Sequence, residues 1–70
     1  MYRFMIIYKD KILCRSEEYP VKGMASAIAR NYVYRLEQEW KRVKYKYKIN
    51  DFMIKVIDRN QNSVYEVQLR

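Results

Sequence analysis

At 70 residues the chain has room for one domain with a thin core; its single cysteine and its lack of histidine exclude a disulfide framework, a conventional zinc site and histidine-based acid–base catalysis. Fifteen basic residues against eight acidic ones give a net charge of +7, which favours polyanionic partners by field alone. Half the residues are hydrophobic, too many for a disordered basic tail, and no apolar run reaches membrane-spanning length or resembles a signal peptide, so a cytoplasmic protein is expected.

Residues 2–8, YRFMIIY, are aromatic and β-rich and predict a first strand. Residues 9–11, KDK, make a short polar break, and residues 12–18, ILCRSEE, the second strand of a hairpin. A three-residue loop sets Tyr8 opposite Ile12, Ile6 opposite Cys14 and Phe4 opposite Ser16. One face then carries Tyr2, Phe4, Ile6, Tyr8, Ile12 and Cys14, the other Arg3, Met5, Ile7, Leu13 and Arg15. A two-residue turn would shift the second strand by one and flip its faces, and the sequence leaves both registers open. Residues 19–23, YPVKG, hold the chain's one proline and one glycine and read as a break.

From Met24 the period becomes helical. Ala25, Ile28, Ala29, Tyr32, Val33, Leu36, Trp40 and Val43 recur on one face, in a segment rich in helix formers. The opposite face reads Arg30, Asn31, Tyr34, Arg35, Gln38, Lys41 and Arg42, with basic residues gathered at the C-terminal end, where the helix dipole favours them. No Ser, Thr, Asp or Asn stands ready to cap the start.

Residues 43–49 then alternate with period two: Val43, Tyr45, Tyr47 and Ile49 on one side, Lys44, Lys46 and Lys48 on the other. This predicts a strand joined by an Asn50-Asp51 turn to another at 52–58, FMIKVID, and by a loop at 59–62 to a last strand at 63–69, SVYEVQL. In that meander Ile49 faces Phe52, Tyr47 faces Ile54 and Tyr45 faces Val56; on the far side Val56 faces Tyr65, Ile54 faces Val67 and Phe52 faces Leu69. Lys55 falls beside Glu66 and beside Lys46. The expected architecture is a single α+β domain over residues 1–70, ββαβββ, with a mostly antiparallel five-stranded sheet and one helix across its apolar face.

Chemistry-bearing patterns are scarce. Glu17 and Glu18 are strand neighbours that point to opposite faces. Asp58 with Glu66-Val67-Gln68 is similar to the Asp and Glu-x-Lys metal site of restriction-type nucleases, but Gln68 stands where lysine is usual and the expected register puts Asp58 and Glu66 on opposite faces. Cys14 has no histidine to activate it and reads as a small buried hydrophobe, and a single glycine excludes a glycine-rich phosphate loop. No enzyme, no cofactor and no metal site is therefore expected.

The basic residues carry the functional reading. Residues 22–48 hold eight basic and two acidic residues, six of the seven net charges. Asn31, Arg35, Gln38 and Arg42 form one helical stripe of side chains able to grip phosphates or read base edges, and Lys41, Lys44, Lys46, Lys48 and Lys55 extend it. These nine residues are the expected nucleic-acid contact, DNA or RNA, with stacking left to Tyr34 or Tyr19 because the register turns Tyr45 and Tyr47 inward. Outward lysines also protect strand edges against aggregation, a simpler role for the same residues. The alternative is a protein partner or a homodimer docked on the second sheet face, where Met5, Ile7, Leu13, Met53, Ile57 and Val64 make an apolar surface. Small size, missing catalytic motifs and an AT-rich codon flavour suggest by analogy a phage or mobile-element accessory protein or inhibitor.

Overall fold

A computed structural model of the protein describes residues 1–69. Its elements are β1 (Tyr2–Tyr8), β2 (Lys11–Arg15), α1 (Lys22–Arg42), a 3-10 turn (Ile49–Asp51), β3 (Phe52–Asp58) and β4 (Ser63–Val67). The strands form one antiparallel sheet in the order β2-β1-β3-β4. The fold is α+β, one helix laid on one face of a four-stranded sheet.

Alternation along the strands decides the two faces. Phe4, Ile6 and Tyr8 of β1 and Phe52, Ile54 and Val56 of β3 are buried, and they meet Ala25, Ala29 and Val33 of α1. Each large side chain buried this way contributes roughly 1.5–3 kcal/mol. At its start the helix buries small residues against the sheet: Ala25, Ser26 and Ala29. The Ser26 hydroxyl is satisfied by the Lys22 carbonyl at 3.0 Å.

The hairpin β3–β4 has the expected register, with Ile54 opposite Val67, Val56 opposite Tyr65 and Lys55 opposite Glu66. Asp58, buried at the end of β3, accepts from the Asn60 amide (3.0 Å) and the Gln61 amide (3.4 Å) and so shapes the loop. The ladder ends at Val67, so Phe52 and Leu69 are not ladder partners.

The first hairpin reconciles both expected registers. Lys9 and Asp10 take positive φ (48° and 66°) in a two-residue turn, so Tyr8 pairs with Lys11 and Ile7 with Ile12. A β-bulge at Leu13 then inserts one residue and restores Ile6 opposite Cys14. Ile12, expected on the core face, is consequently exposed opposite Ile7. β2 stops at Arg15 rather than 18, because Ser16 turns its hydroxyl onto the Phe4 amide (2.8 Å) and the chain rejoins β1 only at Tyr19, through two 2.7 Å bonds with Tyr2.

The largest correction concerns residues 43–49, which form no strand. β3 therefore pairs on its other side with β1, setting Tyr8 opposite Phe52, Ile6 opposite Ile54 and Phe4 opposite Val56. The physical reason is competition. β1 offers an uninterrupted apolar alternation, whereas the segment 43–49 would bring Lys46 beside Lys55. The sheet has four strands, not five, and the expected pairs of Phe52, Ile54 and Val56 with residues 45–49 do not exist.

The break at 19–23 is also shorter than expected. Pro20 and Val21 precede the helix, and Gly23 lies inside its first turn. Val21 is the N-cap and makes no side-chain capping bond, as the missing polar residue implies.

Candidate nucleic-acid interface

α1 ends in a Schellman motif. Lys44 takes the left-handed conformation (φ 56°), its amide donates to the Lys41 carbonyl at 3.1 Å, and the Tyr45 amide donates to the Trp40 carbonyl at 2.8 Å. The accompanying hydrophobic contact is aromatic: the Tyr45 ring lies 4.8 Å from the Trp40 ring, centroid to centroid. Trp40 in turn sits at the centre of a cluster with Tyr8 (5.1 Å), Phe52 (5.2 Å) and Tyr47 (5.6 Å). The period-two alternation of residues 43–49 is thus spent on closing a helix and not on a strand.

This geometry sends the lysines outward while the tyrosines hold the chain down unequally. Tyr47 is half-buried against Trp40 and Phe52. Tyr45 is 54% exposed, and Val43, expected in the core, is 69% exposed. Lys44, Lys46 and Lys48 are all exposed. So are Asn31, Arg35, Gln38, Lys41 and Arg42 on the helix. Along α1 the stripe from Asn31 to Arg42 runs about 16 Å at 1.5 Å per residue.

Eight of the nine expected contact residues therefore lie on the helix or the segment that follows it. Lys55 does not join them. It is half-buried on the sheet face away from α1, across from Glu66 and Met5. The odd-numbered positions of β3 all point there, so no change of side-chain rotamer brings Lys55 to the helix surface.

The two acidic residues of α1, Glu37 and Glu39, both lie in its last two turns, among the cations. Glu37 pairs with Lys41 at 3.8 Å, and Glu39 shares a shallow depression with Arg35, Gln38, Lys41 and Arg42. Among the described residues, Arg35, Arg42, Lys44, Lys46 and Lys48 have no ion-pair partner. By contrast Arg3 and Arg59 are both held by Glu18, whose carboxyl is drawn below the usual carboxylate range first by its hydrogen bond from Arg59. Arg3 and Arg59 are thus neutralised by Glu18 and Lys41 by Glu37, whereas the five cations around the helix end have no such partner among the described residues.

The stacking roles change as well. Tyr34 gives its hydroxyl to the Leu69 carbonyl, and together with Arg30, which donates to the Gln68 carbonyl at 2.9 Å, it straps the end of the chain to the helix. Tyr19 is stacked parallel to Phe4 at 6.2 Å. Both residues expected to stack on bases are engaged within the fold, and Tyr45, expected to face inward, is more exposed than either, 54% against 38% for Tyr34. The five-residue spacing of Trp40 and Tyr45, a helix position and a post-helix position that meet only in a Schellman closure, was the signal available in the sequence.

Elsewhere, Cys14 is half-buried beside Tyr32, and burial pushes both the thiol and the phenol above their ordinary values. Asp58 and Glu66 lie on opposite faces of the sheet, and Asp58 is occupied by loop amides, which leaves no shared metal site between them. The face away from the helix carries Met5, Ile7, Met53, Ile57 and Val64, with Met53 and Val64 exposed; Leu13 is the exposed extra residue of the bulge. No helix among the described residues is long and apolar enough to cross a membrane.

Compared with protein-family models, curated proteins and solved structures, the chain matches none significantly. The fold and the surface chemistry of the chain itself are what define it: a small α+β protein whose net charge is concentrated at one helix end.

Proposed function

We propose that the protein is a non-enzymatic binding protein that contacts nucleic acid through the C-terminal end of α1 and residues 41–48. The observation that carries this reading is the group of exposed cations Arg35, Arg42, Lys44, Lys46 and Lys48, which lack ion-pair partners among the described residues. Solvated surface charge is ordinarily interleaved with acids, as at Glu18 with Arg3 and Arg59. A run of unneutralised cations on and just beyond one helix raises the local positive potential and displaces counterions from a phosphate chain.

Salt dependence tests it. Binding to DNA and RNA oligonucleotides should weaken along a straight line in log affinity against log salt, each phosphate contact adding roughly 0.7–0.9 to the slope. No binding at low salt, or binding that ignores salt, refutes the reading.

A second reading is favoured by one observation: α1 covers a single face of the sheet, leaving an apolar surface at Met5, Ile7, Met53, Ile57 and Val64, beside the bulge residue Leu13. A homodimer or a protein partner would cover it, as expected of an accessory protein or inhibitor of phage or mobile-element type. Light scattering that returns the mass of one chain removes the dimer, and a pull-down that survives nuclease treatment would support a protein partner.

A further inference from the structure

Within the basic segment, Tyr45 is built differently from the other tyrosines. Its backbone is fixed by the helix closure, through the 2.8 Å bond to the Trp40 carbonyl, and its ring is backed by the Trp40 indole at 4.8 Å. Yet 54% of the residue remains exposed, and its chain neighbours Lys44 and Lys46 are exposed too. A tyrosine that served only to close the helix would gain by burying its outer surface. Here an aromatic ring, tilted 48° against the Trp40 indole, stays half exposed with an exposed lysine on either side of it in the chain.

Resting on the reading that this segment meets a polyanion, we propose that Tyr45 is a stacking platform for an unpaired base, and that the ligand is a single-stranded nucleic acid. Lys44 and Lys46 would hold phosphates on either side of the stacked nucleotide. Single strands offer their base faces to an aromatic ring, whereas bases in a duplex are already stacked on one another and offer only edges. Stacking of this kind tolerates any base, which suits a site that displays one ring and several cations.

Three labelled probes with the same number of phosphates separate the possibilities: a short single-stranded oligothymidylate, a duplex, and an abasic single strand. Anisotropy titrations at low salt should show the oligothymidylate bound more tightly than the other two. Tyr45→Leu keeps an apolar contact with Trp40 but has no π-face; it should weaken oligothymidylate binding by about tenfold and leave the abasic strand unchanged. Tyr45→Trp should retain binding. Trp40, the single tryptophan, lies behind the Tyr45 ring and should change its emission with the oligothymidylate and not with the abasic strand. An unchanged thermal midpoint for Tyr45→Leu separates lost stacking from lost folding. If Tyr45→Leu binds the oligothymidylate as well as the parent, or if the duplex binds as tightly as the single strand, stacking is refuted while polyanion binding stands. If none of the three probes binds, both readings fall.

Discussion

Up to Val33, α1 meets the sheet through Ala25, Ser26, Ala29 and Val33, all buried; beyond it the contact passes to Leu36 and Trp40, both only partly buried. The charge follows the opposite course. In the first half Lys22 lies over the Tyr65 ring and Arg30 donates to the Gln68 carbonyl, whereas Arg35, Arg42, Lys44, Lys46 and Lys48 are exposed and have no ion-pair partner among the described residues. Small residues let the first half seat tightly, and a large indole holds the second half at one point while the rest of its surface faces outward. One helix thus has an anchoring half and a displaying half. The arrangement teaches that helical length beyond what packing needs can serve to carry charge.

The comparison can be broken by substitutions of opposite kind in the two halves. Trp40→Ala should be the most damaging, at about 3 kcal/mol, since it empties the cluster of Tyr8, Tyr45, Tyr47 and Phe52; denaturant unfolding measures it. Ala29→Leu, adding volume at a fully buried position of the helix, should cost about 1–3 kcal/mol in the same experiment. An Arg35→Ala change on the displaying half should stay within about 0.5 kcal/mol. If Ala29→Leu proves as harmless as Arg35→Ala, the tight seating of the first half is wrong.

The helix ends offer gains instead of losses. Lys44 is a non-glycine residue at φ 56°, so Lys44→Gly should stabilise by about 1 kcal/mol, seen as a raised unfolding midpoint. Gly23 lies in the first turn with open space around its Cα, so Gly23→Ala should add about 0.5–1 kcal/mol. A destabilised Lys44→Gly would contradict the Schellman closure that places Tyr45.

The smallest expected effect concerns pH. Glu18 has a folded pKa below its ordinary value, so the unfolded chain takes up its proton more readily than the folded one. Its contribution is present above the ordinary glutamate range and is lost as pH falls through the lowered folded value. Glu18→Gln should therefore flatten the acid side of the stability–pH curve and leave its alkaline side unchanged. The Arg3 and Arg59 contacts are partly open to solvent, which screens them, so the change is modest.

Much of the fold was legible because its signals were local. The period-two pattern of 52–58 and 63–67 with a four-residue loop fixes the β3–β4 register, and the helical spacing from Ala25 to Trp40 fixes the buried stripe. Two features were not legible. Pairing of β1 with β3 joins residues some fifty positions apart, and the feature that favours β1, Met5 rather than Lys46 beside Lys55, shows only when the two distant segments are compared as rivals. The alternation of Lys and Tyr is equally compatible with a strand and with a chain leaving a helix, and only the meeting of Trp40 with Tyr45 separates the two. The basic stripe on the helix survives this change because helical periodicity defined it. Lys55 falls away because its grouping with Lys44, Lys46 and Lys48 depended on a strand that does not form.

The separation of Lys55 from the other lysines also supplies the most direct test. Replacing Lys44, Lys46 and Lys48 together by glutamine, against Lys55→Gln alone, compares cations on the displaying end with one on the far sheet face. In salt titrations of oligonucleotide binding, the triple substitution should reduce the log–log slope by about 2–3 and weaken binding at every salt concentration, while Lys55→Gln leaves the slope unchanged. Equal slopes for the triple variant and the parent protein, or a greater loss from Lys55→Gln, would contradict nucleic-acid contact at the helix end.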